Sequence, residues 1–297
     1  MLMIDLLLLS VPYTYSFNAP AAPAVLQAMA HKYGFTTKFY DWNVDILNAS
    51  KHINAVFRDF CISNIVKDKL VLLNETEKVV NNIIKANPRY VGLSVFTYCC
   101  LPAAKLLCLM LKIKSPHIKI ILGGQGLGNN GINSSYSWGR EALEQNLCDH
   151  WVKSEGEFSM LNILQQKIVT DGDWNQIEDL DQIPHPDYRD YDWSKYTPRI
   201  PVTASRGCVR KCTFCDIHQH WKKFVFRDGQ SVANEIISQC ERYGIYNVAF
   251  TDSLLNGSMK AYRDMVSKLA DYNENSTQKI TWTSQFIFRP VNHMTEQ

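Results

Sequence analysis

Three cysteines close together in the chain carry the clearest metal chemistry in this sequence. Cys208, Cys212 and Cys215 are spaced four and three residues apart, in a polar loop that begins after Gly207. Cysteine thiolates are the ligands of iron–sulfur clusters, and most cubane clusters take four of them. A site with three thiolates leaves one iron without a protein ligand, so a substrate or cofactor could coordinate there. The spacing therefore predicts a metal site.

Two other interpretations fit the cysteine loop less well. His218 or His220 could complete a structural zinc site of three cysteines and one histidine. Zinc sites usually draw their ligands from two separated pairs, however, and the chain contains no second Cys-x-x-Cys pair. A disulfide role fits poorly because the chain has nine cysteines and the loop has three, both odd numbers.

The cysteine motif resembles the signature of the radical SAM superfamily, Cys-x-x-x-Cys-x-x-Cys, matched here by Cys208, Cys212 and Cys215. The resemblance implies a 4Fe-4S cluster whose open iron binds the amino and carboxylate groups of S-adenosylmethionine (SAM). It also implies that an electron from the cluster cleaves SAM and releases a 5′-deoxyadenosyl radical.

The same resemblance assigns residues to SAM itself. In this family an aromatic residue commonly precedes the last cysteine and packs beside the adenine, and Phe214 stands at that position. The loop after the second barrel strand helps to hold the SAM amino group, and Asp252 and Asn256 lie in that region. Phe214 could instead anchor the loop in the core, and Asp252 could instead cap the turn that follows it.

Length and composition predict a globular protein of two domains. The chain has 297 residues, of which 46% are hydrophobic and 20% charged. A formal net charge of +2, without a basic run interleaved with aromatic residues, gives no signal for nucleic-acid binding. The apolar start from Met1 to Val11 is broken by Asp5 and is too short to cross a bilayer, which predicts a buried strand and no membrane segment. The lack of a disulfide framework predicts a reducing cytoplasm.

The first part of the chain alternates short apolar strands with helices. The strands are predicted at 4–11, 36–40, 90–96, 118–122 and 150–153. Five strands that alternate with helices predict an α/β fold over residues 1–169, with a doubly wound parallel sheet. Ligands of such sheets bind at the carboxyl ends of the strands, where the strand order reverses.

An α/β domain followed by the cysteine loop resembles the cobalamin-binding subclass of radical SAM proteins, whose sheet is flavodoxin-like. Ser-Val-Phe at 94–96 matches the Ser-x-Leu motif with Phe for Leu, and Gly-Gly at 123–124 matches a second motif. Ser-Glu-Gly-Glu at 154–157 is similar to the segment after the fifth strand. Because the first loop lacks Asp-x-His, the resemblance implies cobalamin without a histidine ligand to cobalt. The residues assigned to cobalamin in this way are Ser94, Phe96, Gly123, Gly124 and Gly156.

The second part of the chain follows a polar segment with three prolines, residues 170–199, which is predicted to be a linker whose aromatic side chains pack between domains. Residues 200–297 begin with a strand, carry the cysteine loop at its carboxyl end and repeat strand–helix units. This order predicts the first part of a radical SAM partial (β/α) barrel. A full barrel takes about 200 residues or more, so we expect a further segment or a second chain to complete it.

Three functions from different classes follow from these features. The first is a radical SAM enzyme that uses a 4Fe-4S cluster, SAM and cobalamin for methyl transfer or radical rearrangement. Its substrate would be a small molecule or a modified macromolecule, and its partner an electron donor such as flavodoxin or ferredoxin. The second function is a small-molecule or corrinoid-binding module without catalysis. The third is a scaffold stabilised by zinc.

Overall fold

The computed structural model describes residues 4–128, 137–153, 155–167, 176–215 and 217–288. The described residues form two compact units. Unit 1 contains those up to 167 together with Ile183–Thr197, and unit 2 contains Gln176–Gln182 together with those from Pro198 onward. The segment predicted as a linker is therefore divided between the two units. Its first residues, 170–175, and the predicted domain end at 169 lie outside the described ranges.

Unit 1 is built on a parallel sheet. Its strands are β1 (Leu6–Ser10), β2 (Thr37–Asp41), β3 (Tyr90–Ser94), β4 (Lys119–Gly123) and β5 (His150–Val152). They pair in the order β2-β1-β3-β4-β5, all parallel. The central strands β1 and β3 are apolar and buried along nearly their whole length, as expected for strands covered on both faces. The predicted α/β fold with a doubly wound sheet is confirmed, because this strand order is the flavodoxin-like one.

Helices connect the strands of unit 1. They are α1 (Ala21–Lys32), α2 (Trp42–Asn48), α3 (Lys51–Ser63), α4 (Lys69–Ala86), α5 (Leu101–Lys114), α6 (Trp138–Glu144) and α7 (Gly156–Leu164). The helical spacing of residues 45–86 predicts two helical pieces, but three helices cover them because local caps interrupt the chain. Ser50 accepts a hydrogen bond from the Ile53 N–H at the start of α3, and Asn64 ends α3 in the left-handed conformation. Asp68 then caps α4.

Aromatic side chains from residues 183–197 extend the core of unit 1. Tyr191 stacks on Phe39 with 4.5 Å between ring centroids, and the ring of Tyr188 meets it edge-on. The Tyr196 hydroxyl donates to Asp41 Oδ2 over 3.0 Å. These rings are buried, so they serve packing rather than the stacking of a ligand.

Unit 2 repeats strand and helix around the cysteine loop. Its elements are β6 (Ile200–Val202), β7 (Ser205–Arg206), α8 (Ile217–His220), β8 (Val225–Phe226), α9 (Gly229–Tyr243), β9 (Asn247–Phe250), α10 (Met259–Asn275) and β10 (Thr281–Thr283). Strands β10, β9 and β6 form a parallel sheet in that order, and β7 pairs with β8 in an antiparallel hairpin.

Two details of unit 2 differ from the sequence expectations. The sequence predicts a helix over 230–243 with Ser231 as its N-cap, but the cap is Asp228, whose carboxylate accepts a hydrogen bond from the Ser231 N–H over 2.9 Å. The sequence also predicts a strand over 279–287, but the strand is limited to β10, whose side chains are largely exposed. An exposed edge strand has few packing contacts to extend its regular pairing.

All nine cysteines lie in the described ranges, and each is a free thiol. Within the described part of the chain, no helix combines the length and the apolar character that crossing a membrane requires.

Candidate metal centre and cofactor rim

The β7–β8 hairpin brings together the two ends of the cysteine loop. Ser205 pairs with Phe226 and Arg206 with Val225, so the chain leaves and returns at one point. The loop begins at Gly207, whose φ of +83° lies in the left-handed region. A Cβ there would lie 2.7 Å from the Lys223 carbonyl oxygen, so only glycine allows this close return.

The three thiols of the loop are accessible. Cys212 is exposed, and Cys208 and Cys215 are partly exposed. The Arg210 N–H donates to Cys208 Sγ over 3.4 Å, and the Cys215 N–H donates to the Cys212 carbonyl over 3.1 Å, so local backbone bonds shape the loop. The donor set is the one that an iron–sulfur cluster takes.

These thiols do not form a ligand cage. Among the described residues, no three His, Cys, Asp or Glu side chains converge closely enough to hold a metal ion. Convergence of ligands is ordinarily driven by metal binding, which couples to the ordering of the loop. His218 and His220, the histidines of the zinc interpretation, lie on α8 and do not complete such a group either.

Several other cysteines differ from the loop thiols because they are buried. Burial raises the pKa of the thiols of Cys61, Cys100 and Cys108 above its usual value, and raises that of Cys240 to about 12. The thiolate, not the thiol, is the metal ligand. These buried groups therefore stay protonated at neutral pH, which leaves the cysteine loop as the better donor set.

Phe214 stands beside the last cysteine with 91% of its surface exposed. An anchor in the core would bury this ring, so the structure does not give it the packing role. A large exposed aromatic face is available to a planar ligand such as adenine. The assignment of Phe214 to SAM stays a prediction.

Asp252 and Asn256 are buried, and their polar atoms face protein partners. Asp252 follows β9 and accepts hydrogen bonds from the Ala204 N–H over 3.0 Å and the Ser205 hydroxyl over 2.5 Å. Asn256 donates to the Ile287 carbonyl over 2.8 Å and accepts from the Ile287 N–H over 3.1 Å. Both side chains thus join neighbouring chain segments, and their predicted role toward SAM stays a prediction.

The carboxyl group of Asp252 gives unit 2 a pH-dependent stability. Burial raises its pKa to about 6, although the hydrogen bonds from Ser205 and Ala204 act in the opposite direction. The folded state therefore binds this proton more tightly than the unfolded chain, whose Asp pKa is about 4. The resulting stabilisation is fully present below about pH 4 and is lost as the pH rises through 6, up to about 3 kcal/mol.

Replacement of Asp252 by Asn tests this expectation. The Asn amide can donate to the Ser205 hydroxyl, which itself donates to the Leu254 carbonyl over 3.0 Å, so the packing is retained. We expect Asp252→Asn to flatten the change in the free energy of unfolding between pH 4 and pH 7, measured by urea denaturation against the wild type. A pH dependence that the variant retains in full would contradict the assignment.

The carboxyl edge of the sheet in unit 1 brings together the Ser-x-Phe and Gly-Gly segments predicted for cobalamin. Ser94 ends β3 and is paired with Gly123, which ends β4. The Val95 N–H donates to the Gly123 carbonyl over 2.8 Å, so the Ser-x-Phe and Gly-Gly segments leave the sheet side by side. The strand order reverses between β1 and β3, and that is where ligands of such sheets bind.

The two glycines of the Gly-Gly segment have different surroundings. Gly124 has a φ of +110°, and a Cβ on it would lie 2.3 Å from the Val95 carbonyl oxygen. Gly123 has no heavy atom within 4 Å of the position where a Cβ would stand. Gly124 is therefore required for loop packing, whereas Gly123 leaves open space at the rim.

Exposed aromatic residues follow two of the strands that end at the same rim. Tyr15 and Phe17 follow β1, and Phe96 and Tyr98 follow β3; each is at least 42% exposed. Such an apolar rim fits the broad face of a corrin ring. Gly156, the remaining predicted residue, begins α7 and would place a Cβ 3.2 Å from Leu26, while Ser154 of the same motif lies outside the described residues.

Comparison with known proteins gives relatives in both sequence and structure. No protein-family model matches the chain. The chain is 25% identical over 219 residues to the anaerobic magnesium-protoporphyrin IX monomethyl ester cyclase of Rubrivivax gelatinosus. The match covers 64% of this chain and 36% of the cyclase. The chain is also 30% identical over 101 residues to cytidylyl-2-hydroxyethylphosphonate methyltransferase of Streptomyces wedmorensis, covering 29% of this chain and 19% of the relative.

The fold is also similar to a solved structure. This is TsrM of Kitasatospora setae, a radical S-adenosylmethionine methyltransferase with cobalamin and a 4Fe-4S cluster bound, at a TM-score of 0.59 and 14% identity. The match covers 93% of this chain and 54% of that one. The predicted resemblance to cobalamin-binding radical SAM proteins is confirmed at the level of the fold. The chain spans about a third of the cyclase and about half of TsrM.

Sequence reasoning missed the residues that hold the cysteine loop closed. Gln176, Arg227 and Glu235 contact the hairpin or the chain beside it through side chains. Glu235 lies on the buried face of α9 with Val232 and Ile236, and an acidic residue among apolar ones at helical spacing is the one sequence signal that could have indicated a partner.

Proposed function

We propose that this protein is the cluster-bearing part of a radical SAM enzyme, with the 4Fe-4S cluster held by Cys208, Cys212 and Cys215. The observation that carries the proposal is the loop itself. Three accessible thiols follow a parallel strand at its carboxyl end, where α/β enzymes place their chemistry, and the loop is closed by a hairpin. When bound, such a cluster supplies the electron that cleaves SAM to a 5′-deoxyadenosyl radical.

The residues around the loop divide the remaining tasks. Phe214, exposed next to Cys215, offers a face on which adenine can stack. We propose that Asp252 and Asn256 lie beside the SAM amino group, where their hydrogen bonds to protein partners hold the strand ends in place. We infer that the backbone of the loop also contributes to the SAM site.

We further propose that unit 1 binds cobalamin at its carboxyl rim. Ser94, Phe96 and Gly123 meet there, next to the point where the strand order reverses. The exposed aromatic rings supply apolar contacts for the corrin, and the open space at Gly123 allows close approach of a large ligand. Gly124 contributes by shaping the loop and Gly156 by starting α7.

The reaction class is proposed from the relatives. The two methyltransferases and the cyclase to which the chain is similar favour methyl transfer or ring formation on a small-molecule or macromolecular substrate. An electron donor such as flavodoxin or ferredoxin and a second chain that completes the barrel are the proposed partners. The nine free thiols support a reducing compartment, which we propose is the cytoplasm.

Anaerobic reconstitution of the full chain with iron and sulfide tests the proposal. We expect the reduced protein to give the electron paramagnetic resonance spectrum of a 4Fe-4S cluster, and we expect that spectrum to change when SAM is added. The change follows because SAM binds the iron that lacks a protein ligand. A chain that takes up zinc and no cluster would contradict the proposal and support the zinc scaffold.

A titration with hydroxocobalamin, followed by the visible spectrum of the corrinoid, tests the rim separately. Binding that survives Cys212→Ala would place the corrinoid on unit 1 independently of the cluster. If cobalamin binds while no cluster forms in the wild type, the corrinoid-binding module without catalysis becomes the better function, and the complete sheet of unit 1 is the observation that favours it.

A further inference from the structure

The main chain of Lys223, where the cysteine loop returns to the hairpin, is held from two directions. On one side Gly207 approaches it so closely that a Cβ would lie 2.7 Å from its carbonyl oxygen. On the other side the Gln176 amide donates to that carbonyl over 2.7 Å and accepts from the Lys223 N–H over 3.0 Å. The Gln176 side chain therefore pairs with Lys223 as a neighbouring strand would, although the two residues are 47 positions apart.

Asp181, five residues after Gln176, contacts the chain just after β8. Asp181 accepts a hydrogen bond from the Asp228 N–H over 2.8 Å, and its other oxygen lies 3.7 Å from Nε of Arg227. The Arg227 guanidinium is buried and pairs with Glu235 of α9 over 2.5 Å. It also donates to the Thr203 carbonyl over 3.1 Å, next to the end of β6. Breaking a buried ion pair of this kind is strongly destabilising, so the position of Arg227 is firmly fixed.

We propose that residues 176–182 form a strap that positions the cysteine loop, and that Gln176 is its positioning residue. The strap contacts the end of the cysteine loop at Lys223 through Gln176, and it contacts residues 227–228 through Asp181. Ordering a loop for metal binding costs conformational entropy, and that cost is smaller when one end of the loop is already fixed. This inference rests on the proposed function for the meaning of the loop, because the strap matters to chemistry only if the thiols hold a cluster.

A second strap residue, Glu178, provides a comparison for Gln176. Glu178 contacts the same residue, through an ion pair of 2.5 Å with Lys223 Nζ, but both side chains are at least 66% exposed. Exposed ion pairs contribute little. Gln176 instead satisfies a backbone donor and a backbone acceptor together. Removal of Gln176 is therefore expected to release the loop, and removal of Glu178 is expected to leave it in place.

Hydrogen exchange of the full-length protein, measured by mass spectrometry before reconstitution, tests the strap without any cofactor. We expect Gln176→Ala to speed exchange in peptides that cover 207–223 by about tenfold or more, because two hydrogen bonds are lost. Gln176→Glu keeps the acceptor but loses the donor, so we expect an intermediate increase. Glu178→Ala and Gln145→Ala, an exposed glutamine on unit 1, are expected to match the wild type.

A second readout follows the cluster. After reconstitution, iron loss to a chelator is expected to be about tenfold faster from Gln176→Ala than from the wild type or Glu178→Ala. Unchanged exchange in Gln176→Ala would overturn the strap. Exchange that rises equally across α9 and α10 would also overturn it, because Gln176 would then act on the stability of unit 2 as a whole. If the wild type binds no cluster, the proposed function fails, and the exchange measurement still decides the strap.

Discussion

Replacement of Cys212 by alanine is expected to abolish the bound cluster. Alanine offers no ligand, and a site left with two thiolates cannot hold a cubane that requires at least three from this loop. Iron and sulfide, expected at about four each per chain in the reconstituted wild type, should fall to background, together with the visible absorbance of the cluster. Because Cys212 is exposed, its loss leaves no cavity, and the free energy of unfolding should change by less than about 0.5 kcal/mol.

Cys99→Ala is the matched control for that experiment. Cys99 is partly exposed and, like Cys212, a free thiol, but it lies in unit 1 outside the cysteine loop. The control should retain the full content of iron and sulfide. Full iron in Cys212→Ala, or equal loss of iron in Cys99→Ala, would show that the metal is bound elsewhere or without specificity. Cys212→Ala would also remove a structural zinc ion, so loss of metal alone does not identify the metal. Metal analysis of the wild type is therefore needed to distinguish iron from zinc.

Gly124→Ala is expected to destabilise unit 1 by about 3 kcal/mol or more. The φ of +110° and ψ of 157° at Gly124 belong to a region that other residues hardly enter. In addition, a Cβ would lie 2.3 Å from the Val95 carbonyl oxygen, which is backbone and cannot turn away. The loop after β4 would have to move away from the loop after β3, so the urea concentration at the midpoint of unfolding should fall. Unfolding of unit 1 can be followed by the fluorescence of its buried tryptophans, Trp42, Trp138 and Trp151.

The adjacent glycine provides the control for packing. Gly123 has a φ outside the left-handed region and open space around the position of a Cβ, so Gly123→Ala should change the stability by less than about 1 kcal/mol. If cobalamin lies at the rim, this variant should still weaken corrinoid binding, because the added methyl group occupies the open space. Equal destabilisation by the two substitutions would show that the Gly-Gly segment is not packed as described.

Local sequence patterns predicted most of the elements. The apolar run that forms β1 and the alanine-rich segment of α1 were recognisable because burial and helix propensity act on neighbouring residues. The alanine-rich sequence predicts a helix from Ala21 to Lys32, and α1 has these bounds. The β7–β8 hairpin was not predicted, since strands of two residues have no periodicity to detect.

The sequence determined the donor set of this protein, because the identity and spacing of Cys208, Cys212 and Cys215 are local properties of one loop. It also determined the alternation of strand and helix. Only the tertiary structure decided what the other polar residues do. Asn256 and Ile287 are 31 positions apart, and Gln176 and Lys223 are 47 positions apart. Contacts at such separations depend on how whole elements pack, and no pattern within a short window of sequence encodes that packing.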